Sequence, residues 1–372
     1  MGKLAGLNAL RGLAALTIMI FHVWGIHKLT LGPLNAFVPV YLGLGVPLFF
    51  VISGFSLFLS TRPRVGREGW IADYACRRFM RIAPLFYALV LYYIAFSIYY
   101  SGSIPWRFVF GTLSMLFNLM PGSQQSFVGA GWTIGVEMLF YLMLPYLLMG
   151  ISGQRSAALI TLLATGVSIV FYQFYTAQNY PEDYARTGFL SNIGVFLYGI
   201  LGYFLYNALK DRPVARSSGL WLLALAVVLA AALYRWEFDP LPFLENRSLR
   251  WSPVFALLVV SQCLRPVSLL SNRPLAFLGR LSFGLYLWHP PLVYKMKGLY
   301  DYIDGTGLPP DQAFALCAVA TLAILIPIAG LANVLIETPG VQAGEWWIRR
   351  REHARAGRSL VAHHPPLAAR EA

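Results

Sequence analysis

The stretch LNALRGLAALTIMIFHVW, residues 7–24, decides the fold class. Its single formal charge, Arg11, sits in an otherwise apolar run. A run of about 20 such residues is what a helix needs to cross the hydrocarbon core of a membrane. Runs of this kind recur along the chain, and we read ten: 7–26, 38–60, 82–101, 131–150, 157–176, 188–207, 218–235, 250–265, 275–297 and 312–336. The composition agrees, since 58% of the 372 residues are hydrophobic and 12% are charged. Average soluble domains carry about 25% charged residues. With 29 Lys+Arg and 16 Asp+Glu, no soluble fold can cover that much apolar surface. A soluble enzyme, a disordered chain and a nucleic-acid-binding domain are thereby excluded. The expected fold class is all-α: a polytopic membrane protein of about ten transmembrane helices. Three scattered cysteines, Cys76, Cys263 and Cys317, give neither a disulfide framework nor zinc spacing.

The net charge of +13 gives orientation. With ten spans and both termini cytoplasmic, 20 Lys/Arg fall inside and 8 outside, with Arg11 in a span. An eleventh apolar segment, 105–121, contains Arg107 and Asn118 and is bounded by prolines. Counting it as a span reverses the chain after it and leaves 13 inside against 15 outside. The positive-inside rule favours ten spans, with 105–121 interfacial or re-entrant on the outer side. The domain expectation is an integral membrane unit over 1–348, then a basic, disordered cytoplasmic tail over 349–372 near anionic lipid.

Ionisable residues inside spans are costly and mark function. Arg11 and His22 are eleven residues apart, which at 100° each is about 20° beyond three turns. They therefore share one helix face, separated by about 16 Å along the axis. Glu137 lies about 9 Å along its span from residue 131, and Trp132, Thr133, Glu137 and Tyr141 share roughly one face. Ser282, Tyr286 and His289 are spaced i, i+4, i+7 and form a third stripe. Three helices should bring His22, Glu137 and His289 to similar depth. One histidine could then serve as a general base, with Glu137 orienting it and setting its tautomer. Arg78 and Arg81, spaced i, i+3 on the cytoplasmic side, suit phosphate recognition. Glu337 ends the last span on that side, in reach of one of these arginines. There is no HExxH and no cysteine cluster, so no metal site is expected. GxSxG and P-loop motifs are also missing.

At these residues the sequence resembles the acyltransferase-3 family of bacterial membrane acyltransferases, over about 7–340. Arg11 and His22 match an Arg/Lys-x10-His motif, and GVPLFFVISGF at 45–55 looks like a second-span signature. Arg78 and Arg81 match R-x-x-R, and GWTIGVEMLFYLMLP at 131–145 resembles a W-(T/S)-(L/I)-x-x-E-x-x-F-Y block. SFGLYLWH at 282–289 and IETP at 336–339 resemble the closing signatures. One departure is Pro47, where many relatives carry an acidic residue. By its length the chain resembles the stand-alone form, without an SGNH hydrolase-like domain.

The resemblance implies transfer of an acyl group, most often acetyl, from cytoplasmic acyl-CoA to a hydroxyl of a glycan, lipid-linked saccharide or other cell-envelope acceptor. The enzyme would sit in the bacterial inner membrane. Arg78 and Arg81 would hold the phosphates of CoA. His22 would act as base, with Arg11 and Glu137 as further catalytic residues and Arg11 toward the donor side. Trp132, Tyr141, Ser282, Tyr286 and His289 would line the acyl and substrate path. Acyl-CoA, the saccharide acceptor and membrane lipids are the expected partners, with no nucleic acid. The rival reading is a proton-coupled transporter or flippase, which intramembrane Glu and His would also suit. Against it, no inverted repeat is visible.

Overall fold

The computed structural model describes residues 5–363 apart from 121, 123, 179, 181–182 and 236–244, with side chains as far as 355. Every regular element among the described residues is helical. The first span is α1 (Ala5–His27). The second starts irregularly, where Pro33, Pro39 and Pro47 punctuate the chain: a short α2 (Val38–Tyr41) and a 3-10 turn lead into α3 (Gly45–Thr61). Next come α4 (Trp70–Ser101), α5 (Trp106–Ser114), α6 (Trp132–Gly150) and α7 (Gln154–Ala177). A one-turn α8 (Tyr184–Thr187) precedes α9 (Phe189–Leu209) and α10 (Ala215–Arg235). The last third holds α11 (Arg247–Leu264), α12 (Arg273–Arg280), α13 (Ser282–Lys295) and α14 (Lys297–Asp304). It ends with α15 (Pro310–Ala332), a π turn (Asn333–Glu337) and α16 (Thr338–His363).

By length and composition, 8 of these helical stretches could cross a membrane. They coincide with eight of the ten expected spans, and the chain is a multi-pass membrane protein. The other two expected spans fall outside that set. The stretch at 250–265 is the 18-residue α11, which opens with Arg247 and Arg250 and packs against α9, α10 and α3. The stretch at 275–297 is not one helix. It breaks at Leu281 into α12 and α13, two residues after Gly279, whose backbone lies against that of Asn8 on α1. Segment 105–121 has a helix of only 9 residues, ended by Met115 at φ 57°. At about 1.5 Å per residue it is far shorter than the roughly 30 Å hydrocarbon core. Its following turn is anchored through buried Asn118, which donates to the Thr187 carbonyl (2.9 Å) and accepts from the Phe189 amide (2.7 Å).

The basic stretch from 349, expected to be disordered, is helical through His363, and 364–372 lies outside the described residues. The reason is a counter-charge on α4. Asp73, buried, lies 3.4 Å from both Arg351 and Arg355, and Arg355 also donates to the Glu68 carbonyl at 2.9 Å.

Two close crossings set the bundle. A Cβ on Gly54 (α3) would lie 2.1 Å from the Phe196 carbonyl oxygen, and one on Gly199 (α9) would lie 2.1 Å from that of Val51. A Cβ on Gly12 (α1) would meet the Leu275 oxygen at 2.1 Å, and one on Gly279 (α12) the Asn8 oxygen at 1.8 Å. Small residues let helix backbones touch, which is a main source of association between membrane helices. Around the α3–α9 crossing, the Phe196 ring stacks on Phe50 at 4.5 Å and on Phe140 at 4.1 Å. This core includes α4, α6 and α11, while a second core joins α1 to α13, α14 and α15. α1 belongs to both, so its polar residues are placed between them.

Gly54→Ala should therefore force α3 away from α9 and cost about 1–3 kcal/mol, as overpacking does. Gly166→Ala, with nothing within 4 Å of its Cβ position, should not destabilise the protein. Thermal unfolding of both variants in detergent checks this. Equal midpoints would show that the crossing tolerates a methyl group.

Candidate active site

Polar side chains in the bundle collect in two adjoining cavities. Arg11, from the first half of α1, faces the first, together with Arg78 and Arg81 from α4. Its Nη2 donates to Ser56 Oγ at 3.0 Å, and that hydroxyl donates to the Ile52 carbonyl of α3. One turn away, Ser53 Oγ donates to Glu137 Oε1 at 2.8 Å. Tyr141, four residues on from Glu137, donates its hydroxyl to the same oxygen at 2.5 Å. Glu137 is thus held between α3 and its own helix, and Oε2 accepts no hydrogen bond among the described residues. Thr133 and Ser282 complete the polar wall.

The two arginines of the CRRFMR stretch both line this cavity but differ in their partners. Arg81 donates to Glu337 Oε2 at 2.8 Å, the pairing the sequence had in reach, and Glu337 is 1% exposed. The carboxylate comes from the π turn after α15, whose fifth residue it is. Arg78 has no carboxylate partner among the described residues. Its guanidinium lies 5.9 Å from the centre of the Tyr74 ring, and its buried Nε makes no hydrogen bond. Tyr74 in turn donates to the Tyr141 carbonyl at 3.0 Å. Of the two candidate phosphate ligands, Arg78 keeps its full charge for a ligand, and Arg81 shares its charge with Glu337.

The second cavity holds His22, with Trp132, Tyr172 and Arg186 among its walls. His22 Nδ1 lies 2.9 Å from the Ile18 carbonyl oxygen. A carbonyl only accepts, so Nδ1 carries the proton and Nε2 is left as the basic nitrogen. Here the geometry departs from the sequence expectation. The group that orients His22 is a carbonyl of its own helix, and Glu137 is held by Ser53 and Tyr141 in the other cavity. His289 does join His22. Its ring is fully buried, 4.7 Å from the His22 ring and 5.6 Å from that of Tyr286. The expected convergence of three groups is a pair of histidines in one place and Glu137 with Arg11 in another.

The stripe on α13 runs from one cavity to the other. Ser282 lines the first cavity, Tyr286 lines both, and His289 lies against His22. Tyr286 and Val46 are shared walls. The Tyr286 hydroxyl donates to the Ala130 carbonyl at 3.0 Å and accepts from Thr133 at 2.9 Å, which fixes the ring at the seam. Trp132 falls in the His22 cavity, under the Arg186 guanidinium at 5.6 Å, and Tyr141 falls in the arginine cavity. Sequence reasoning missed Ser53 and Ser56. Two hydroxyls three apart in the apolar GVPLFFVISGFSLFLS run were the available signal. It also missed Tyr172 of α7, Arg186 of α8, and Arg247 and Arg250 of α11, whose i, i+3 spacing repeats that of Arg78 and Arg81 and was the available signal. Pro47, the departure from the family pattern, lines the His22 cavity and supplies no charge there.

Comparison with known proteins identifies the family of the chain. The family model described as Acyltransferase domain (acyltransferase 3) matches residues 4–329. Similar proteins include "Peptidoglycan O-acetyltransferase OatA" of Listeria monocytogenes, 23% identical over an alignment of 331 residues that covers 80% of this chain and 51% of that protein. "Putative peptidoglycan O-acetyltransferase YrhL" of Bacillus subtilis is 25% identical over 324 residues, 77% of this chain and 48% of that protein. "Putative acetyltransferase ORF330" of Acidianus two-tailed virus is 29% identical over 315 residues, 82% of this chain and 88% of that protein. The chain spans about half the length of the first two relatives. No solved structure matches it.

Removing Arg81 should cost stability rather than only ligand affinity, because it strands a buried carboxylate. Losing one partner of a fully buried pair costs about 3–5 kcal/mol. Arg81 is itself 39% exposed, so solvent screening lowers the expected loss below that range. Thermal unfolding of Arg81→Ala should show a lowered midpoint, and adding Glu337→Gln should recover most of it. A midpoint unchanged in the single variant would deny the pair a structural role.

Proposed function

This chain belongs to the acyltransferase-3 family, and on that premise we propose that it is a membrane O-acyltransferase. The reaction moves an acetyl group from acetyl-CoA, or another acyl from its CoA thioester, to a hydroxyl of an extracytoplasmic glycan or other envelope acceptor. The observation that carries the reading is the meeting of two chemically distinct cavities at Tyr286, with the basic nitrogen of His22 on one side and three arginines on the other. An anionic donor suits the arginine cavity, where Arg78 and Arg11 would engage phosphate oxygens through paired N–H groups. The pantetheine arm and thioester would extend toward the seam. An acceptor hydroxyl in the second cavity would give its proton to His22 Nε2 as its oxygen attacks the thioester carbonyl. Collapse of the adduct forms the ester and breaks the C–S bond, and His22 returns the proton to the departing CoA sulfur. His289 against the His22 ring would limit that ring's movement.

The charge count supports placing the Arg78 end, and both termini, in the cytoplasm of a bacterium whose inner membrane holds the protein. Donor and acceptor would then approach from opposite faces. Family membership also favours group transfer over a carrier function for the intramembrane Glu and His.

Labelled acetyl-CoA given to the purified chain with candidate acceptors tests the reaction. His22→Ala should lower transfer by about 10²–10⁴-fold, the range of general acid–base catalysis, with expression and folding intact. Arg78→Ala should raise the KM for acyl-CoA and leave kcat nearly unchanged. Full transfer by the His22 variant would overturn the assigned base, and a loss of kcat alone in the Arg78 variant would overturn its donor role.

Topology is read separately. In a background lacking Cys76, Cys263 and Cys317, Gln125→Cys should react with an impermeant thiol reagent in intact cells, whereas Arg350→Cys should not. Labelling of position 350 in sealed cells would overturn the orientation.

A further inference from the structure

The transfer proposed above gives no part to the one carboxylate that lines the arginine cavity. Glu137 turns Oε1 to two hydroxyl donors, Ser53 at 2.8 Å and Tyr141 at 2.5 Å. Its other oxygen, Oε2, accepts no hydrogen bond among the described residues. None of the cavity's guanidiniums pairs with it: Arg11 turns to Ser56, Arg81 to Glu337, and Arg78 lies by the Tyr74 ring. A second polar group of the same cavity is also open. The Ser282 hydroxyl lines it without a hydrogen-bond partner among the described residues. The two groups stand at one level. The Thr133 hydroxyl donates to that of Tyr286 at 2.9 Å, which sets α6 against α13 at the seam between the cavities. Glu137 is four residues on from Thr133, and Ser282 four residues before Tyr286, so each is about 6 Å along its helix from that bond. Both lie on the way to the arginines. Further along α6, the Tyr141 carbonyl accepts from Tyr74 of α4 at 3.0 Å, and beside Ser282 the Phe283 ring lies 5.5 Å from the Arg81 guanidinium.

A carboxylate oxygen repels phosphate, so the phosphates of a CoA thioester belong beyond Glu137, at the guanidiniums. Between phosphates and thioester runs the pantetheine arm, whose polar group nearest the sulfur is an amide. In the thioester that amide nitrogen is four bonds from the reacting carbonyl carbon, about 5 Å when extended. With the carbonyl at the seam, the amide falls at the level of Glu137 and Ser282. An amide of this kind has one N–H to donate and one C=O to accept. The cavity offers the complement from two helices: Glu137 Oε2, which accepts, and the Ser282 hydroxyl, which can donate. We infer that Glu137 and Ser282 are donor-binding residues that hold the pantetheine amide nearest the sulfur. Glu137 accepts from its N–H and Ser282 donates to its C=O, which sets the thioester carbonyl at Tyr286. The inference rests on the acyltransferase reading, which supplies the thioester donor. It gives Glu137 a positioning role on the donor side, in place of the base-orienting role expected from its depth in the sequence.

The test reads binding and requires no turnover. The purified full chain in neutral detergent is titrated calorimetrically with S-ethyl-CoA, an unreactive thioether. A second titration uses its analogue in which the amide nitrogen nearest the sulfur is replaced by an ester oxygen, so that the carbonyl stays and the N–H is lost. The unaltered chain should bind S-ethyl-CoA about tenfold or more tightly than the analogue, the worth of a hydrogen bond to a charged acceptor. Glu137→Gln should bring the two affinities together. Because Ser53 and Tyr141 both donate, the glutamine oxygen stays with them and its NH2, a donor only, takes the place of Oε2. Ser282→Ala should weaken both ligands by a similar factor and keep their ratio. Equal affinities in the unaltered chain, or a ratio that survives in Glu137→Gln, overturns the inference, and unchanged affinities in Ser282→Ala overturn the part given to Ser282. If Glu137→Gln fails to fold, Glu137→Asp, which draws the charge back by one methylene, should reduce the ratio, and an unchanged ratio overturns the inference. No binding of S-ethyl-CoA overturns the donor assignment and this inference with it. Acetyl-CoA turnover by the same preparation scores the acyltransferase reading, and binding or turnover without amide preference counts against this inference alone.

Discussion

A polar side chain in the apolar interior of a membrane bundle has no water to fall back on, so its partner must come from another part of the bundle. That constraint organises the molecule. Arg11 is met by Ser56, Glu137 by Ser53 and Tyr141, and Arg81 by Glu337. These contacts tie α1 to α3, α3 to α6, and α4 to the turn after α15. The residues most suited to chemistry are thus also interhelical ties. A close approach of backbones helps the first of these ties, since a Cβ on Gly45 of α3 would lie 2.6 Å from the Ala14 carbonyl oxygen of α1, and this brings the short Ser56 side chain within reach of Arg11.

The same constraint separates the two cavities. Tyr286 spends both hydrogen-bonding capacities of its hydroxyl on Ala130 and Thr133 and stands fixed between them. On one side are guanidiniums suited to phosphate. On the other is an imidazole whose Nδ1 is committed to the Ile18 carbonyl and whose Nε2 is free to accept a proton. The two cavities meet at Tyr286 and Val46, the residues that line both. The helix through which the pieces communicate is α13, whose stripe of Ser282, Tyr286 and His289 touches each compartment in turn.

At the Arg78 end, α16 lies along the first turns of α4, and Asp73 holds two of its arginines. A strongly basic C-terminal stretch folds there because one buried carboxylate supplies the counter-charge. The left-handed Gly69 (φ 68°) at the start of α4 lets the Arg355 guanidinium approach the backbone, where a side chain would block it.

How much of this was legible in the sequence depended on whether a property is local. Hydropathy alone identified the all-α membrane class and most spans, since the cost of exposing a backbone or a charge to lipid acts on each segment separately. The face shared by Arg11 and His22, and the stripe on α13, follow from helical periodicity. The R-x-x-R pair and the reach of Glu337 to Arg81 followed from their placement at one end. The sequence could not show that 275–297 breaks at Leu281, since its apolar run continues across the break, nor that Gly279 beside it meets Asn8 of a different helix. It could not assign Glu137 to Arg11's cavity rather than to His22, since that depends on which turn of α3 presents Ser53. Nor could it gather Arg186, Arg247 and Arg250 around His22. Pairing between helices is decided by how backbones cross, and crossings are set by small residues meeting across long sequence separations, which only the tertiary structure brings together.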